Sequence, residues 1–196
     1  MHEEPKAGSA DELDGVLSFL RAAERLKTIT RSAWTSAGQP ESVAEHTWRL
    51  CLMAMVCHAY FPDVSFPRLI KMCLIHDLGE AIHGDIPAPV QASQGSKADG
   101  ERTDLVELIA PLPAGLRREI TELWDEYEAA VSPEARLAKG LDKLETILQH
   151  NQGKNPADFD YDFNLSYGRQ YTAGDPLLAD IRARLDQDTA ARGRGS

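Results

Sequence analysis

The chain has 196 residues, of which 42% are hydrophobic and 27% charged, and its formal net charge is −10. This length and composition suit one soluble globular domain. The acidic balance argues against a protein that binds a nucleic-acid polymer or an anionic membrane surface, because both need a basic surface. The longest apolar run, residues 50–57, is too short to cross a membrane, and the three cysteines form no CxxC pair. We therefore expect a cytoplasmic protein with reduced thiols.

Apolar residues recur at helical spacing along the chain and keep no strict alternation, which predicts an all-α fold. Asp11 is expected to cap a first helix that runs to about Lys27, and a loop containing Ser, Gly and Pro follows at 32–40. The sequence Ser42-Val-Ala-Glu45 has the form of a capping box. A second helix is therefore predicted from there to about Phe61.

Prolines and polar segments separate the remaining predicted helices. Pro67 suits the first turn of a third helix, which we expect to end near Gly84. The polar stretch over 90–100 is expected to be mobile. Further helices are predicted at 101–110, 114–130, 133–150 (with Ser132 as its cap) and 176–191, and 151–174 is expected to be irregular.

Together these elements predict a single-domain helical bundle. We expect a disordered tail over 1–10, one domain over 11–191 and a second tail over 192–196. No internal repeat, heptad pattern or second domain is visible in the sequence.

Two histidines lie on the core faces of their predicted helices, namely His46 and His76. Asp77 follows His76 directly, and Glu80 lies one turn further on. A single histidine on an apolar face is commonly a hydrogen-bonded core residue, but several imidazoles and acids in one interior are costly unless something satisfies them. Spacing alone therefore leaves a metal site and an acid–base site both open. Asp142, taken by itself, is typical of a solvated carboxylate at the edge of its helix.

Five segments in order resemble the HD superfamily of metal-dependent phosphohydrolases, and within it the small proteins that act as 5'-deoxynucleotidases. They are Leu26-Lys-Thr-Ile-Thr-Arg31 with Trp34, Glu41-Ser-Val-Ala-Glu-His46, His76-Asp-Leu-Gly-Glu80, Gly84-Asp-Ile-Pro87 and Leu141-Asp142, and Glu122-Leu-Trp-Asp-Glu-Tyr-Glu128 also resembles its counterpart. The resemblance covers about 14–150 and fades over 151–191, which we treat as a C-terminal helical extension. It implies a helical bundle of the HD-domain type.

The resemblance implies four metal ligands, which are His46, His76, Asp77 and Asp142. Two imidazoles and two carboxylates suit one divalent transition-metal ion and leave coordination positions for water and phosphate. Cobalt, manganese, zinc, iron and nickel all remain open as the metal.

The resemblance also implies roles for the residues around the metal. Glu80 is expected to orient or deprotonate a water, Arg31 to bind the phosphate, and Asp77 to serve in catalysis as well as in metal binding. Asp85 is expected to contact the sugar 3'-hydroxyl, and Trp34 to pack against the sugar or base. Two simpler interpretations stay open: Trp34 as an anchor of its loop, and Asp85 as an ordinary turn residue.

Other potential ligands are not assigned to the site. His83 is expected at the surface, and His58 and His150 are expected to lie away from the site. The three cysteines are likewise expected outside the metal shell.

The expected activity is hydrolysis of deoxyribonucleoside 5'-monophosphates to deoxynucleoside and phosphate. Two alternatives stay open: an HD-type phosphohydrolase that acts on another small phosphate ester, and a non-catalytic helical module that binds metal or nucleotide. The expected partner is a small phosphorylated substrate, with no nucleic-acid polymer and no membrane. By resemblance we also expect a homodimer.

Overall fold

A computed structural model describes residues 9–85 and 97–194. Its helices are α1 (Ala10–Ala23), α2 (Val43–Cys57), α3 (Phe66–Ile75), α4 (Glu80–His83), α5 (Lys97–Ile109), α6 (Ala114–Ala129), α7 (Pro133–Gln152), α8 (Tyr161–Ser166), α9 (Arg169–Thr172) and α10 (Pro176–Gly193). Two short strands, β1 (Thr30–Trp34) and β2 (Pro40–Ser42), form an antiparallel hairpin between α1 and α2. The predicted all-α class is confirmed, with this hairpin as its one departure among the described residues. No helix within these ranges is long and apolar enough to cross a bilayer.

Helix α7 is the centre of the bundle. It contacts α2, α3, α6 and α10, and its side chains are buried around most of its circumference. The fully buried residues Leu141, Leu144 and Ile147 form its apolar stripe. Because α2 and α3 pack on α7 and on each other, polar residues of these helices and of the turn after α3 meet inside the protein.

Side-chain caps fix the starts of α1, α2 and α7. The predicted box at α2 is present: the Glu45 amide donates to Ser42 Oγ (3.2 Å), and the Ser42 amide donates to Glu45 Oε2 (2.7 Å). Ser132 caps α7 as predicted. At α1 the cap is Ser9 rather than Asp11, because Ser9 and Glu12 form a second reciprocal box that satisfies two helix donors.

The predicted third helix is wrong in its extent. It ends at Ile75, and over 76–82 the backbone hydrogen bonds of Leu78, Glu80 and Ala81 tighten to three-residue spacing before α4 begins. Gly79 permits this turn to lie against α5, since a Cβ there would be 2.8 Å from the Glu101 carbonyl oxygen. The break changes the direction in which Glu80 projects relative to His76.

Other predicted boundaries also shift. The segment 151–174 contains α8 and α9 rather than irregular chain throughout, and α5 begins at Lys97 rather than at 101. The loop predicted over 32–40 is largely the hairpin. Helices α1 and α10 extend into the predicted tails, and residues 1–8, 86–96 and 195–196 lie outside the described residues.

Candidate metal and substrate site

Four residues meet at the floor of one cavity or just beneath it. His46 comes from α2, His76 and Asp77 from the turn directly after α3, and Asp142 from the middle of α7. His76, Asp77 and Asp142 line the cavity, and His46 is buried beside them. His46 is completely buried, and His76 and Asp142 are nearly so. The structure therefore brings together all four of the residues that the sequence indicated as ligands, including Asp142, which is buried rather than solvated.

The ligand atoms of His46, His76 and Asp77 all lie within 4.8 Å of one another, and Asp142 Oδ1 lies near both Nε2 atoms. His46 Nε2 lies 3.2 Å from Asp142 Oδ1, and His76 Nε2 lies 3.1 Å from Asp77 Oδ2. The two cross distances, from His46 to Asp77 and from His76 to Asp142, are 4.0 and 3.9 Å. Ligands about 2.1 Å from a metal stand roughly 3.0 to 3.4 Å apart.

Hydrogen bonding supports the same interpretation. Both Nε2 atoms are buried and have no hydrogen-bond partner of good geometry. Buried polar atoms of this kind are costly, and a cation between them and the two carboxylates would satisfy all four groups. The donor set thus fits a divalent metal ion.

The other nitrogen of each imidazole is held by a specific acceptor. His76 Nδ1 donates to the Cys73 carbonyl at 2.9 Å, and His46 Nδ1 is hydrogen-bonded to Glu145 Oε2. The Arg49 guanidinium in turn donates to Glu145 Oε1 at 2.6 Å. Partners of this kind fix the orientation of an imidazole and leave the opposite nitrogen facing the metal.

Asp142 divides its two oxygens between different tasks. Oδ1 faces the histidines, whereas Oδ2 accepts hydrogen bonds from the Tyr127 hydroxyl (2.9 Å) and the Lys143 ammonium (2.8 Å). The Tyr127 ring also lies 5.2 Å from the His76 ring. The carboxylate is therefore held in one orientation, with a single oxygen toward the site.

Charges in the site keep its carboxylates ionised despite burial. Burial raises the pKa of Asp77, but His76 and the Arg31 guanidinium lower it by more, so the net pKa lies below the usual range. Burial likewise opposes ionisation of Asp142, yet Lys143 and His46 hold its pKa well below the usual value. Both groups are thus anionic near neutral pH, as metal ligands must be.

Arg31 reaches the site from β1. Its guanidinium donates to Asp77 Oδ2 and to Thr146 Oγ1, both at 3.1 Å. Glu41 on β2 is buried and lies 3.8 Å from Arg31 Nε, and burial together with Glu145 raises the pKa of Glu41 to about 7. The side chain of Arg31 is therefore fixed beside the metal ligands, although the hairpin that presents it was predicted as a loop.

A cavity of about 670 Å³ opens above this floor. Arg31, Trp34, Glu80 and Asp85 line it, so every residue that the sequence indicated for substrate or catalysis borders one space with the ligand cluster. Glu80 is 6% exposed. His83, by contrast, is exposed and pairs with Asp104 at 2.9 Å, as expected for a surface histidine.

Several residues of the site were missed or placed elsewhere by the sequence. His150 was expected away from the site, but it lines the cavity because α7 continues past Asp142 along the cavity wall. Other residues without a sequence assignment line the cavity or hold its ligands, namely Glu41, Arg49, Tyr127, Lys139, Lys143, Glu145, Thr146, Phe159, Phe163, Tyr167 and Tyr171. Of these residues, Glu145 is the one that helical spacing could have indicated, because it lies three residues after Asp142 and so shares the same buried face of α7.

Comparison with known proteins agrees with this geometry. The family model described as an HD domain matches residues 23–181. The 5'-deoxynucleotidase HDDC2 of Danio rerio is 39% identical over 142 residues, which are 71% of this chain and 70% of that protein. The protein of the same name from Dictyostelium discoideum is 30% identical and covers 90% of this chain and 99% of its own length.

A solved structure extends the similarity to the whole fold. The crystal structure of a predicted metal-dependent phosphohydrolase from Magnetospirillum magnetotacticum has a TM-score of 0.80 and 28% sequence identity. The match covers 93% of this chain and 95% of that one. Sequence, fold and the arrangement of the histidines and aspartates agree: the chain belongs to the HD domain family, in the group of the 5'-deoxynucleotidase HDDC2 proteins.

Proposed function

We propose that this protein is a metal-dependent 5'-deoxynucleotidase, which hydrolyses deoxyribonucleoside 5'-monophosphates to deoxynucleoside and phosphate. The observation that carries the proposal is the convergence of His76, Asp77 and Asp142 beside Arg31 at the floor of one cavity, with His46 buried directly against Asp142. The curated relatives described above are named for the same activity.

His46, His76, Asp77 and Asp142 are the proposed ligands of one divalent ion from the set cobalt, manganese, zinc, iron and nickel. When bound, such an ion supplies a Lewis acid for the phosphoryl oxygens and lowers the pKa of water. The anionic state of both aspartates suits this role, and the hydrogen bond from His76 Nδ1 to the Cys73 carbonyl turns Nε2 toward the other ligands.

The protein's own residues account for the remaining steps. Arg31, held by Asp77 and Thr146, binds phosphate oxygens with a guanidinium fork that needs no further ordering. Glu80 accepts the proton of the water whose oxygen forms the new bond to phosphorus, while the bond from phosphorus to the sugar oxygen breaks. The same proton is then passed to the sugar oxygen, which leaves as the hydroxyl of the deoxynucleoside. Asp85 accepts a hydrogen bond from the sugar 3'-hydroxyl, and Trp34 packs against the sugar or base.

The experiment that tests this proposal is phosphate release from deoxynucleoside and ribonucleoside monophosphates. Protein stripped with a chelator is assayed with cobalt, manganese, zinc, iron, nickel or magnesium restored in turn. We expect metal-dependent release that favours the deoxy series, and we expect Glu80→Gln to keep its metal while losing at least 100-fold in kcat. The exposed Glu107→Gln variant is the matched control.

Two results would contradict the proposal. Folded, metal-loaded protein that releases no phosphate from any nucleotide points to another phosphate ester or to a non-catalytic module. Full turnover by Glu80→Gln would remove Glu80 from the mechanism.

We also propose that the protein is a cytoplasmic homodimer. Helix α2 carries an exposed apolar stripe at helical spacing, with Trp48 67% exposed, Leu52 40%, Met55 54% and Val56 57%. A second copy of the chain that covers this stripe would explain why it is apolar. Light scattering should give a dimer mass, and Trp48→Lys should shift it toward the monomer, whereas a monomeric native protein would contradict this proposal.

A further inference from the structure

Part of the cavity wall is formed by a group of aromatic rings. The rings of Trp34 and Phe159 lie perpendicular, with an interplanar angle of 88° and centroids 6.2 Å apart. The His150 ring packs against Phe159 at 4.9 Å and 73°. All three residues line the cavity. We refer to Trp34, Phe159 and His150 as the aromatic corner, because two perpendicular rings bound a space on two sides.

Two elements of the fold extend from the metal and phosphate residues to the aromatic corner, and their lengths give the distance between these two parts of the cavity. Strand β1 carries Arg31 and, three residues later, Trp34, a rise of at most about 10 Å because the pairing of the strand is irregular between Thr30 and Trp34. Helix α7 carries Asp142 and, eight residues later, His150, a rise of about 12 Å. A nucleoside monophosphate bound by its phosphate at Arg31 extends its base over a distance of this order.

The aromatic corner is held in place without any ligand. Gln149 on α7 donates its side-chain amide to the Trp34 carbonyl, and the Lys154 amide donates to the Thr35 carbonyl at 3.0 Å. The Asn155 side chain donates to the His150 carbonyl (2.7 Å) and to the Tyr161 hydroxyl (2.9 Å). These bonds join the hairpin to the chain that follows α7. A ligand binding there would therefore lose little free energy in ordering the protein.

The chemistry of the aromatic corner selects a flat, polarisable ligand. Burial lowers the pKa of His150 by more than the hydrogen bond between its Nδ1 and Asn164 Oδ1 (2.8 Å) raises it, so the ring is neutral near pH 7. Aromatic faces stack on nucleobases, and such stacking is tolerant of sequence because every base has a π-face. A planar base that lies on one ring meets the other at its edge.

We propose that the aromatic corner binds the nucleobase of the substrate, with Phe159 as the residue that determines the preference for a nucleotide over a small phosphate ester. This inference rests on the proposed function and adds the base-binding part of the same site. Because stacking is the main interaction, all common bases are accepted, and the larger purines bind more tightly than pyrimidines.

The test compares deoxynucleoside 5'-monophosphates with 2-deoxyribose 5-phosphate, which has the sugar and phosphate but no base. Phe159→Ala is expected to lower kcat/KM for the nucleotides by about 5- to 100-fold, the usual effect of removing one stacking side chain. It should leave kcat/KM for 2-deoxyribose 5-phosphate unchanged within about twofold. Phe159→Leu keeps apolar volume without the aromatic face, and it should show most of the same loss.

Phe66→Ala is the matched control, because Phe66 is also partly buried and packs on a histidine ring, that of His58, 5.0 Å away but outside the cavity. It should affect both substrates equally. Equal losses on both substrates in Phe159→Ala, or no loss on either, would overturn the base-binding role.

A binding measurement keeps the two proposals distinguishable. Saturation-transfer NMR with deoxyadenosine alone needs neither a phosphate group nor turnover. Transfer from the protein to the base of deoxyadenosine should be seen with the native protein and be lost in Phe159→Ala. If nucleotides are not hydrolysed but deoxyadenosine binds in this way, the proposed activity is wrong, whereas base binding at the aromatic corner is supported. Absence of binding in native protein would overturn the aromatic corner, whatever the activity.

Discussion

Glu145 on α7 connects the proposed metal ligand His46 with Arg49, both of which lie on α2. It is fully buried, accepts from His46 Nδ1 and receives the Arg49 guanidinium on its other oxygen. We predict that Glu145→Gln, which keeps the shape and loses the charge, lowers metal affinity by about 10- to 100-fold, the usual effect of removing the partner of a metal-bound histidine. Isothermal titration calorimetry with manganese measures this.

The surface variant Glu107→Gln provides the comparison for a glutamate that contacts no ligand. A native metal affinity in Glu145→Gln would mean that packing alone orients His46. A loss of secondary structure in circular dichroism would instead show that the charge of Glu145 is needed for the fold.

The proton on His46 competes with the metal. Burial and Arg31 lower the pKa of His46, but Glu145 and Asp142 raise it by more, to about 9 in the metal-free protein. The ring is therefore protonated at pH 7 and must lose a proton when it becomes a ligand. We predict that metal affinity rises about tenfold per pH unit between pH 6 and 8, and that calorimetry in buffers of different ionisation enthalpy counts about one proton released. Metal binding that is independent of pH in this range would contradict the protonated state.

The sequence indicated the proposed metal ligands better than it indicated the residues that hydrogen-bond to those ligands. His46, His76 and Asp77 were identified because imidazoles and an acid on apolar helix faces are unusual, and Asp142 because of the family resemblance. Tyr127 and Lys143 could not be identified in that way. Their hydrogen bonds to Asp142 Oδ2 depend on the packing of α6 on α7, which no local pattern specifies.

At the scale of elements, Gly140 determines how closely the C-terminal segment approaches α7. A Cβ at Gly140 would lie 2.6 Å from Leu178 Cδ1 and 2.9 Å from the Tyr171 carbonyl oxygen. We predict that Gly140→Ala lowers the free energy of unfolding by about 1 to 2 kcal/mol, since the strain of overpacking exceeds the helix propensity gained. Urea denaturation measures the change.

Gly115 on α6 is the matched position, because no heavy atom lies within 4 Å of the place where its Cβ would be. Gly115→Ala should therefore stabilise the protein by up to about 1 kcal/mol. If both alanine variants stabilised the protein to the same extent, the close approach at Gly140 would not be a constraint.

The elements that sequence periodicity missed are those stabilised by tertiary contacts. The hairpin β1–β2 has strands of five and three residues, too short for an alternating pattern to be recognised. Helices α8 and α9 have six and four residues and pack near α7 and α10. Isolated helices of that length are unstable in water, so neither has a signal of its own in the sequence.

At the scale of the whole molecule, the cavity is assembled from distant parts of the chain. The metal ligands come from α2, α3 and α7, whereas Phe159, Tyr167 and Tyr171 come from the segment that follows α7. The family resemblance was visible up to about residue 150, so the sequence indicated the metal- and phosphate-binding residues and Trp34, but not Phe159, Tyr167 or Tyr171. The segment after α7 is therefore where we expect related chains to differ in the base they accept.

Metal removal tests whether the ion supports catalysis or the fold. The buried leucines of α2, α3 and α7 form a continuous core, and in the metal-free protein a proton on His46 is held by Glu145 and Asp142. We therefore predict that chelation abolishes phosphate release while the helical circular dichroism signal is kept. A ligand that binds only the folded state and is present at about 100 times its Kd adds about 2.7 kcal/mol to the free energy of unfolding. Removing the metal should therefore lower Tm by about 5 to 10 °C, and restoring the metal should reverse the change. Unfolding on chelation would instead identify the ion as a structural one, because the bundle would then depend on it to hold α2, α3 and α7 together.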